Sequence, residues 1–442
     1  MAPLEILVSG AGIAGCAFAS CLLLPPIPAH EKPHITIVER ASGMRAQGQN
    51  IDIRGAGLDV IRRLGLETAI WNSTTGEEGA QFVDEKNAVW AAHAADKSGK
   101  VQTGTSDIEI LRGTLGDILY RRCKDISDGV KKEGGAGVDF IFGDCIESVE
   151  QDGTKAHVKI MKSGRVSSYD LVVGADGLQS QTRKVVWGEG GEEQRVKKLH
   201  SYGAFWSMPA APTDSLWRRW FHSPGRKSIM VRPSETPDRT TVFMAIYSET
   251  DQRLGEVATF GHDGVQQQKA LLREYFTGAG WECERILNEM DKADDFYYDI
   301  IAQIHMPSNS WHKGRVVLLG DAGYCASPFS GMGTTLALVG AYNLAGVLST
   351  HASEPDRAVA AYEEDMTPLV GKAQKLAPGF PKAMLPETGW GLAVFHWIMW
   401  FLWRSQLAYV LAVLKGPPAN AVALKEYGFR PLEDWNDWRE KA

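Results

Sequence analysis

The chain has 442 residues, of which 44% are hydrophobic and 23% charged, and its formal net charge is −7 at pH 7. These proportions are typical of a soluble globular protein with two or three domains, and the acidic balance argues against a general nucleic-acid-binding protein. The six cysteines include no CxxC pair. We therefore expect free thiols in a reducing, cytoplasmic location, without disulfides or a metal site.

The first predicted unit is a strand, a glycine turn and a helix. Residues 4–9 form an apolar strand, and the sequence GAGIAG at 10–15 opens a helix that is predicted to run to residue 24. In a GxGxxG motif the first glycine makes a tight turn, the second lets a pyrophosphate approach the backbone, and the third lets helix and strand pack closely. A second strand, 34–38, ends at Glu39, an acid placed to bind the ribose of an adenosine.

A polar loop, a hairpin and another helix follow. Residues 43–55 are rich in glycine, and such a loop can wrap a ligand through Arg45, Gln49 and Asp52. Residues 79–112 predict β-hairpin strands, and Arg112 leads into a helix predicted at 113–123. Arg112 is placed either to face a ligand or to form a surface ion pair.

Two later strand ends carry an acidic turn. A strand at 169–173 ends in the sequence GADG at 174–177, and an apolar strand at 316–319 ends in Gly320 and Asp321. The second turn is followed by the glycine pair of GMG at 331–333 and by a helix predicted at 334–348. This layout holds a polar or negative group against a helix N-terminus; an ordinary strand-to-helix crossover is the alternative.

These motifs, in this order, resemble those of a known enzyme family. GAGIAG, GADGLQSQTR and GDAGYCASPFSGMG are similar to the motifs of the group A flavoprotein monooxygenases, the FAD-dependent aromatic hydroxylases typified by para-hydroxybenzoate hydroxylase. The resemblance runs from about residue 4 to about residue 376. GQNIDIRGAG followed by Arg112 is most similar to the tetracycline-inactivating and fungal natural-product members.

The resemblance implies an α/β fold with interleaved domains. The FAD-binding domain would be Rossmann-like (the GR2 or PHBH-like fold), the substrate domain mostly β, and a helix would end the chain. The implied division assigns 1–78, 109–190 and 286–376 to the FAD-binding domain, 79–108 and 191–285 to the substrate domain, and 377–442 to a linker and a Trp-rich helix.

The resemblance also implies roles for individual residues. The glycines of GxGxxG would hold the FAD pyrophosphate, Asp321 the ribityl chain, and Arg45 a phosphate of NADPH, while Asp176 and Arg183 would serve both cofactors. The residues expected to bind cofactor are Gly10, Gly12, Ile13, Ala14, Gly15, Glu39, Arg40, Arg45, Gln49, Asp52, Arg112, Asp176, Gly320, Asp321, Pro328, Gly331, Met332, Gly333 and Thr334. No catalytic residue is assigned, and the candidate bases are His222, Tyr202 and Tyr247.

Three positions depart from the usual pattern of the family. Tyr324 replaces the usual His, Thr334 or Thr335 the usual Asn, and Gly340 with Ala341 the usual Asp-Ala pair. We expect backbone contacts to the cofactor to survive these changes and the positioning of the flavin to be affected.

The region 389–414 is apolar and long enough to span a bilayer. Arg404 interrupts it, and Trp397, Trp400 and Trp403 recur every third residue, as on one face of a helix. We rank a helix packed on the protein or on a second subunit first, association with a membrane surface second, and a true membrane span third.

The implied function is that of an FAD-dependent monooxygenase. It would use NADPH or NADH and O2 to hydroxylate or epoxidise an electron-rich aromatic or polyketide-like small molecule through a flavin C4a-hydroperoxide. Two alternatives stay open: an FAD-dependent oxidase or dehydrogenase on the same scaffold, and a non-enzymatic FAD-binding interaction protein.

Overall fold

The computed structural model describes residues 3–45, 48–95, 108–352, 354–405, 423–436 and 438. The strands are β1 (Glu5–Ser9), β2 (His34–Glu39), β3 (Asn50–Asp52), β4 (Gly79–Val83), β5 (Val89–Ala94), β6 (Glu109–Leu111), β7 (Val138–Phe142), β8 (Ile146–Gln151), β9 (Ala156–Ile160), β10 (Val166–Tyr169), β11 (Leu171–Gly174), β12 (Val196–Pro209), β13 (Trp217–Ser223), β14 (Lys227–Pro233), β15 (Arg239–Tyr247), β16 (Tyr297–Ile304), β17 (His312–Lys313) and β18 (Val316–Leu318). The α-helices are α1 (Ile13–Leu22), α2 (Ala56–Arg63), α3 (Glu67–Trp71), α4 (Arg112–Lys132), α5 (Gln181–Trp187), α6 (Glu192–Arg195), α7 (Arg253–Thr259), α8 (Val265–Phe276), α9 (Cys283–Lys292), α10 (Asp321–Tyr324), α11 (Gly333–Thr350), α12 (Pro355–Ala373) and α13 (Gly389–Arg404).

A six-stranded sheet of order β17-β18-β11-β1-β2-β7 forms the first layer, with all strands except β17 parallel. Its strands are apolar along their length because helices α1 and α11 cover one face and the small sheet β10-β9-β8 covers part of the other. Ser9 pairs with Val38 and Gly174, and Gly174 pairs with Leu318. The strands that carry the predicted motifs therefore end side by side at one edge.

A second, seven-stranded sheet has the order β16-β12-β15-β14-β13-β4-β5. One face packs on α7, α8 and α9 around Phe276 and Met290, and residues on the other face line a cavity. The predicted hairpin is present as β4 and β5; residues 96–107 of it lie outside the described residues. Strand β16 also joins this sheet, although the predicted boundary at 285 assigns it to the FAD-binding domain. The domain division stays a prediction.

Two predicted helices end later than expected. Helix α4 runs to Lys132 instead of 123, because Ser127 and Val130 continue its buried face past the polar residues around 125. Helix α11 runs from Gly333 to Thr350, and every residue from Thr334 to Leu348 is buried. This burial explains why that stretch contains no charged residue.

Helix α13 packs on the protein. Its inner face carries Leu392, Phe395, Met399 and Trp403, which pack in one cluster with Phe82 and Ala91 of the second sheet. No helix among the described residues is both long and apolar enough to span a bilayer. The part of the predicted helix at 406–414 lies outside the described residues. Aromatic side chains of the segment 423–436, among them Phe429 and Trp435, join the core that also packs the first sheet.

Candidate active site

A cavity of about 940 Å³ lies between the ends of the parallel strands and the second sheet. Its volume is near the upper limit of small-molecule sites, about 300–1,000 Å³. All predicted cofactor residues line it except Gly15, Arg183, Gly320 and Met332. Those that do are Gly10, Gly12, Ile13, Ala14, Glu39, Arg40, Arg45, Gln49, Asp52, Arg112, Asp176, Asp321, Pro328, Gly331, Gly333 and Thr334.

The three glycines of the first motif have different surroundings. Gly10 has φ +107°, and a Cβ there would lie 2.6 Å from the carbonyl oxygen of Ala175, so the glycine turn packs on the GADG turn. A Cβ on Gly15 would lie 2.0 Å from the carbonyl oxygen of Gly10. A Cβ on Gly12 would meet no atom of the described residues within 4 Å, because Gly12 faces the open cavity. Gly12 is also the N-cap of α1, so the first turn of that helix presents its N–H groups to the cavity.

Glu39 lies beside this turn. Its Oε2 accepts the N–H of Ala11 at 3.0 Å, and its Oε1 accepts the N–H of Ala41 at 2.8 Å. The half-exposed guanidinium of Arg45 lies 3.6 Å from the same carboxylate. The geometry holds the carboxylate at the edge of the glycine loop.

The late acidic turn faces the start of α11. Asp321 opens α10, and its Oδ1 lies 4.0 Å from where a Cβ of Gly333 would be. Asp52, paired with Arg54 at 2.9 Å, lies beside Gly331, whose φ is +62°. The N-terminus of α11 is therefore open to the cavity between two carboxylates.

Two residues predicted at and after the GADG turn have different surroundings. Asp176 borders the cavity, and its carboxylate accepts hydrogen bonds from the Ser180 hydroxyl and from the N–H and hydroxyl of Thr182 in the first turn of α5. Arg183 is fully buried, pairs with Glu192, and is not among the described cavity-lining residues. Its guanidinium ties the two acidic turns together, because it donates to the carbonyl oxygens of Leu178 and Ala322 at 2.8 and 2.7 Å.

The sequence predicts that aromatic strands within 196–285 cover an apolar pocket, but it does not identify which residues line the opposite wall of the cavity. Phe205 pairs with Phe243, Phe243 with Met230, and Met230 with Trp220, so four strands contribute one row of large apolar side chains. The rings of Phe205 and Phe243 stack with centroids 4.4 Å apart. The alternation of side chains between the two faces of each strand predicts which residues share a face. It does not predict which residues of neighbouring strands lie side by side, because that depends on the register between the strands.

A polar row on the same wall was also missed. Arg218 and Arg232 line the cavity, and the Nε of Arg232 lies 2.8 Å from buried Glu77. Arg232 also pairs with Glu109, whose Oε1 accepts the amide N–H of Asn50 at 2.7 Å. Burial, opposed in part by Arg232, raises the pKa of Glu109 to about 7. These partners come from distant parts of the sequence, so no local pattern reveals them.

The three candidate bases are not among the described residues that line the cavity. His222 is buried against Phe395, and neither ring nitrogen has a hydrogen-bond partner among the described residues. Burial, with a smaller effect of His396, lowers the pKa of His222 to about 3. Tyr202 packs in the core under the second sheet, and Tyr247 donates its hydroxyl to a carboxylate. The catalytic base stays unassigned.

Comparison with known proteins identifies the family. Residues 3–377 match the model of the FAD binding domain family. The chain belongs to this family. It is 32% identical to the FAD-dependent monooxygenase asL4 of Sarocladium schorii, over 90% of this chain and 92% of that protein. It is 33% identical to the flavin-dependent monooxygenase eupH of Phoma sp, over 97% and 98%.

Solved structures agree with these relatives. The crystal structure of tetracycline destructase Tet(51) has a TM-score of 0.74 and 30% identity, over 96% of this chain and all of that one. The resemblance to group A flavin monooxygenases and the PHBH-like α/β fold are thus confirmed. The protein is an FAD-dependent flavoprotein monooxygenase.

The cavity fits FAD on its own geometry. Gly12 leaves open space at the start of α1, where a pyrophosphate would meet backbone N–H groups. The start of α11 is a second site that favours negative charge. The apolar row of the second sheet lies at the same cavity and leaves a wall for a further ligand.

Proposed function

We propose that this monooxygenase takes electrons from NADPH or NADH and uses O2 to hydroxylate or epoxidise an electron-rich aromatic or polycyclic small molecule. The observation that carries the proposal is that one cavity joins a dinucleotide-type glycine turn to a wall of aromatic side chains. The name of the tetracycline destructases, whose structures resemble this one, supports a polycyclic substrate.

FAD would supply the hydride acceptance and the oxygen transfer. The chain would bind and orient it: Gly12 and the start of α1 at the pyrophosphate, Glu39 at the adenosine ribose, and Asp321 at the ribityl chain. The N-terminus of α11, at Gly333, would stabilise negative charge on the flavin ring. Arg45 is exposed enough to meet a phosphate of NADPH.

The aromatic wall would exclude water and bind the substrate's apolar surface. Phe205, Phe243, Met230 and Trp220 present a continuous apolar row, and a dry pocket suppresses wasteful side reactions of the reduced cofactor. We therefore propose that the substrate lies between this row and the start of α11. A substrate that ionises as a phenol or enol would supply its own nucleophilicity.

A partner surface forms the last part of the proposal. Trp390 and Trp397 of α13 are 79% and 60% exposed. Exposed tryptophans in such a row are typical of contacts with a membrane surface or with a second copy of the chain. We propose that α13 makes such a contact while its inner face stays on the second sheet.

The deciding experiment is an absorbance spectrum of the purified protein, followed by anaerobic addition of NADPH. We expect a flavin spectrum that NADPH bleaches and air restores, and faster bleaching with a suitable phenol or enol. A protein that neither contains FAD nor takes it up would contradict the cofactor assignment. Turnover under ¹⁸O2 then separates the alternatives, because a monooxygenase incorporates one labelled atom into product and an oxidase or dehydrogenase incorporates none.

A further inference from the structure

Tyr324, the last residue of α10, fits into space that only a glycine leaves open. The side chain is fully buried between β18, α11 and α12. A Cβ on Gly340 of α11 would lie 2.2 Å from the Tyr324 hydroxyl oxygen and 3.4 Å from its Cζ. The Tyr at 324 therefore requires the Gly at 340. At both positions the chain departs from the usual family pattern.

A hydrogen bond holds the ring in this space. The hydroxyl of Tyr324 lies 2.7 Å from the hydroxyl of Tyr362 in α12, and the Tyr362 hydroxyl lies 3.4 Å from the carbonyl oxygen of Leu318. The ring also packs on Trp311, with centroids 4.8 Å apart. Burial raises the pKa of Tyr324 to about 12, so the phenol is neutral and able to donate at neutral pH.

The other end of the same short helix meets the cavity. Helix α10 has four residues, Asp321 to Tyr324, which is about one turn and 6 Å of rise. A displacement of Tyr324 therefore moves Asp321, whose Oδ1 lies 4.0 Å from where a Cβ of Gly333 would be. Tyr324 and Asp321 face two sites on one helix, α11, at Gly340 and Gly333.

We propose that Tyr324, through the packing of its ring in the space above Gly340, is a positioning residue that sets where Asp321 meets FAD. The proposal rests on the proposed role of Asp321 at the ribityl chain. Because interiors are close-packed and do not absorb an extra methyl group without movement, the fit at Gly340 determines the placement of Asp321.

The test is a set of three variants. Gly340→Ala adds a methyl group where the Tyr324 hydroxyl lies, so we expect the FAD dissociation constant to rise about tenfold or more, with an altered visible circular dichroism spectrum of the bound flavin. Tyr324→Phe removes the hydroxyl and keeps the ring, so its FAD affinity should stay within about threefold of wild type. The double variant Gly340→Ala with Tyr324→Phe should regain most of the wild-type affinity and spectrum. The 2.2 Å contact is then gone, and the new Cβ meets Cζ at 3.4 Å and the Cδ1 at the end of the Leu319 side chain at 3.2 Å.

The matched control is Gly346→Ala in the same helix. A Cβ there would lie 2.2 Å from the ring of Tyr427, away from the cavity, so it should lower stability without changing the flavin spectrum.

A Gly340→Ala protein with unchanged FAD affinity and spectrum overturns the proposal, and so does a double variant that folds but is not rescued. If Gly340→Ala does not fold, Tyr324→Ala is tested in its place. We expect Tyr324→Ala to bind FAD more weakly than wild type, and unchanged binding would contradict the proposal. Wild-type protein that takes up no FAD would instead contradict the proposed function itself.

Discussion

At the scale of single residues, the three glycines of the GxGxxG motif have different structural roles. Gly10 and Gly15 are needed for packing, since a Cβ at either would collide with backbone oxygen. Gly12 has ordinary extended backbone, with φ −78° and ψ −170°, so its lack of a side chain matters only for what enters the cavity. The same motif thus contains two residues required by the fold and one that leaves space open in the cavity.

We predict that Gly12→Val folds but no longer binds FAD. The Cβ at position 12 would meet no atom of the described residues within 4 Å, so the added side chain takes up open space at the start of α1. The FAD dissociation constant should rise by about 100-fold or more, equivalent to about 2.7 kcal/mol, while the far-UV circular dichroism stays that of wild type. Fluorescence quenching of added FAD measures the constant.

The control for this variant is Gly129→Val in α4. A Cβ on Gly129 also meets no atom of the described residues within 4 Å, and Gly129 is not among the described residues that line the cavity. Its FAD affinity should match that of wild type. Normal FAD uptake by Gly12→Val would place the pyrophosphate elsewhere.

At the scale of elements, α13 has two apolar faces. The inner face carries Phe395 and Met399, and the outer face carries Trp390, Trp397 and Phe401. A helix that is apolar all round is normally covered on all sides. Residues 388–425 also contain no acidic residue in a chain of net charge −7, which suits contact with anionic lipid.

We predict that Trp397→Ser combined with Ile398→Ser abolishes the association made by this face. Flotation with vesicles of phosphatidylcholine and phosphatidylglycerol tests the membrane, and light scattering tests a second copy. Wild type should associate in one of the two assays, and the double variant in neither. The control is Trp71→Ser, which removes a 46% exposed tryptophan in α3 and should behave as wild type. A wild-type protein that is monomeric and does not float with the vesicles would contradict the prediction.

At the scale of the whole molecule, a buried ion-pair network joins the second sheet to the two-stranded sheet of β3 and β6. Asn50 and Glu109 come from the small sheet of β3 and β6, and Arg232 comes from the second sheet. Removing one partner of such a network lowers the stability of the protein strongly, because the remaining charge stays buried without its partner. Asn50 and Arg232 of this network line the cavity, so the protonation state of the network alters the electrostatic field there.

Glu109→Gln should change how stability depends on pH. Because folding raises the pKa of Glu109 from 4.5 to about 7, the folded state binds the proton more tightly, and this contribution is lost as pH rises from 4.5 through 7. The variant lacks that loss, so its free energy of unfolding relative to wild type should increase by about 3 kcal/mol between pH 4.5 and pH 8. Urea unfolding at a series of pH values measures the difference.

Glu193→Gln is the control, since Glu193 is exposed. Its stability relative to wild type should not vary across that pH range. A Glu109→Gln profile parallel to that of wild type would show that Glu109 titrates normally in the folded protein.

Several predictions from the sequence depended only on neighbouring residues, and these agree with the structure. The glycine turn after β1, the Glu39 strand end and the acidic turn before α10 are each formed by a few consecutive residues, so pattern and turn chemistry suffice to find them. The role predicted for Arg183 lacks support from its position, because its fully buried guanidinium binds main-chain oxygens and Glu192. A sequence motif identifies a residue without saying which way its side chain points.

Local strand, turn and helix signals sufficed to predict the parallel α/β layer and the FAD cofactor, and the order of the motifs along the chain predicts that they meet where the strands end, as they do. The residue row of the aromatic wall, the contact between Arg232 and Glu109, and the fit of Tyr324 on Gly340 are visible only in the folded protein. Arg232 and Glu109 are 123 residues apart, and contacts of this kind depend on strand register and helix packing. The physical reason is that such contacts arise from the close packing of whole elements, which no short stretch of sequence records.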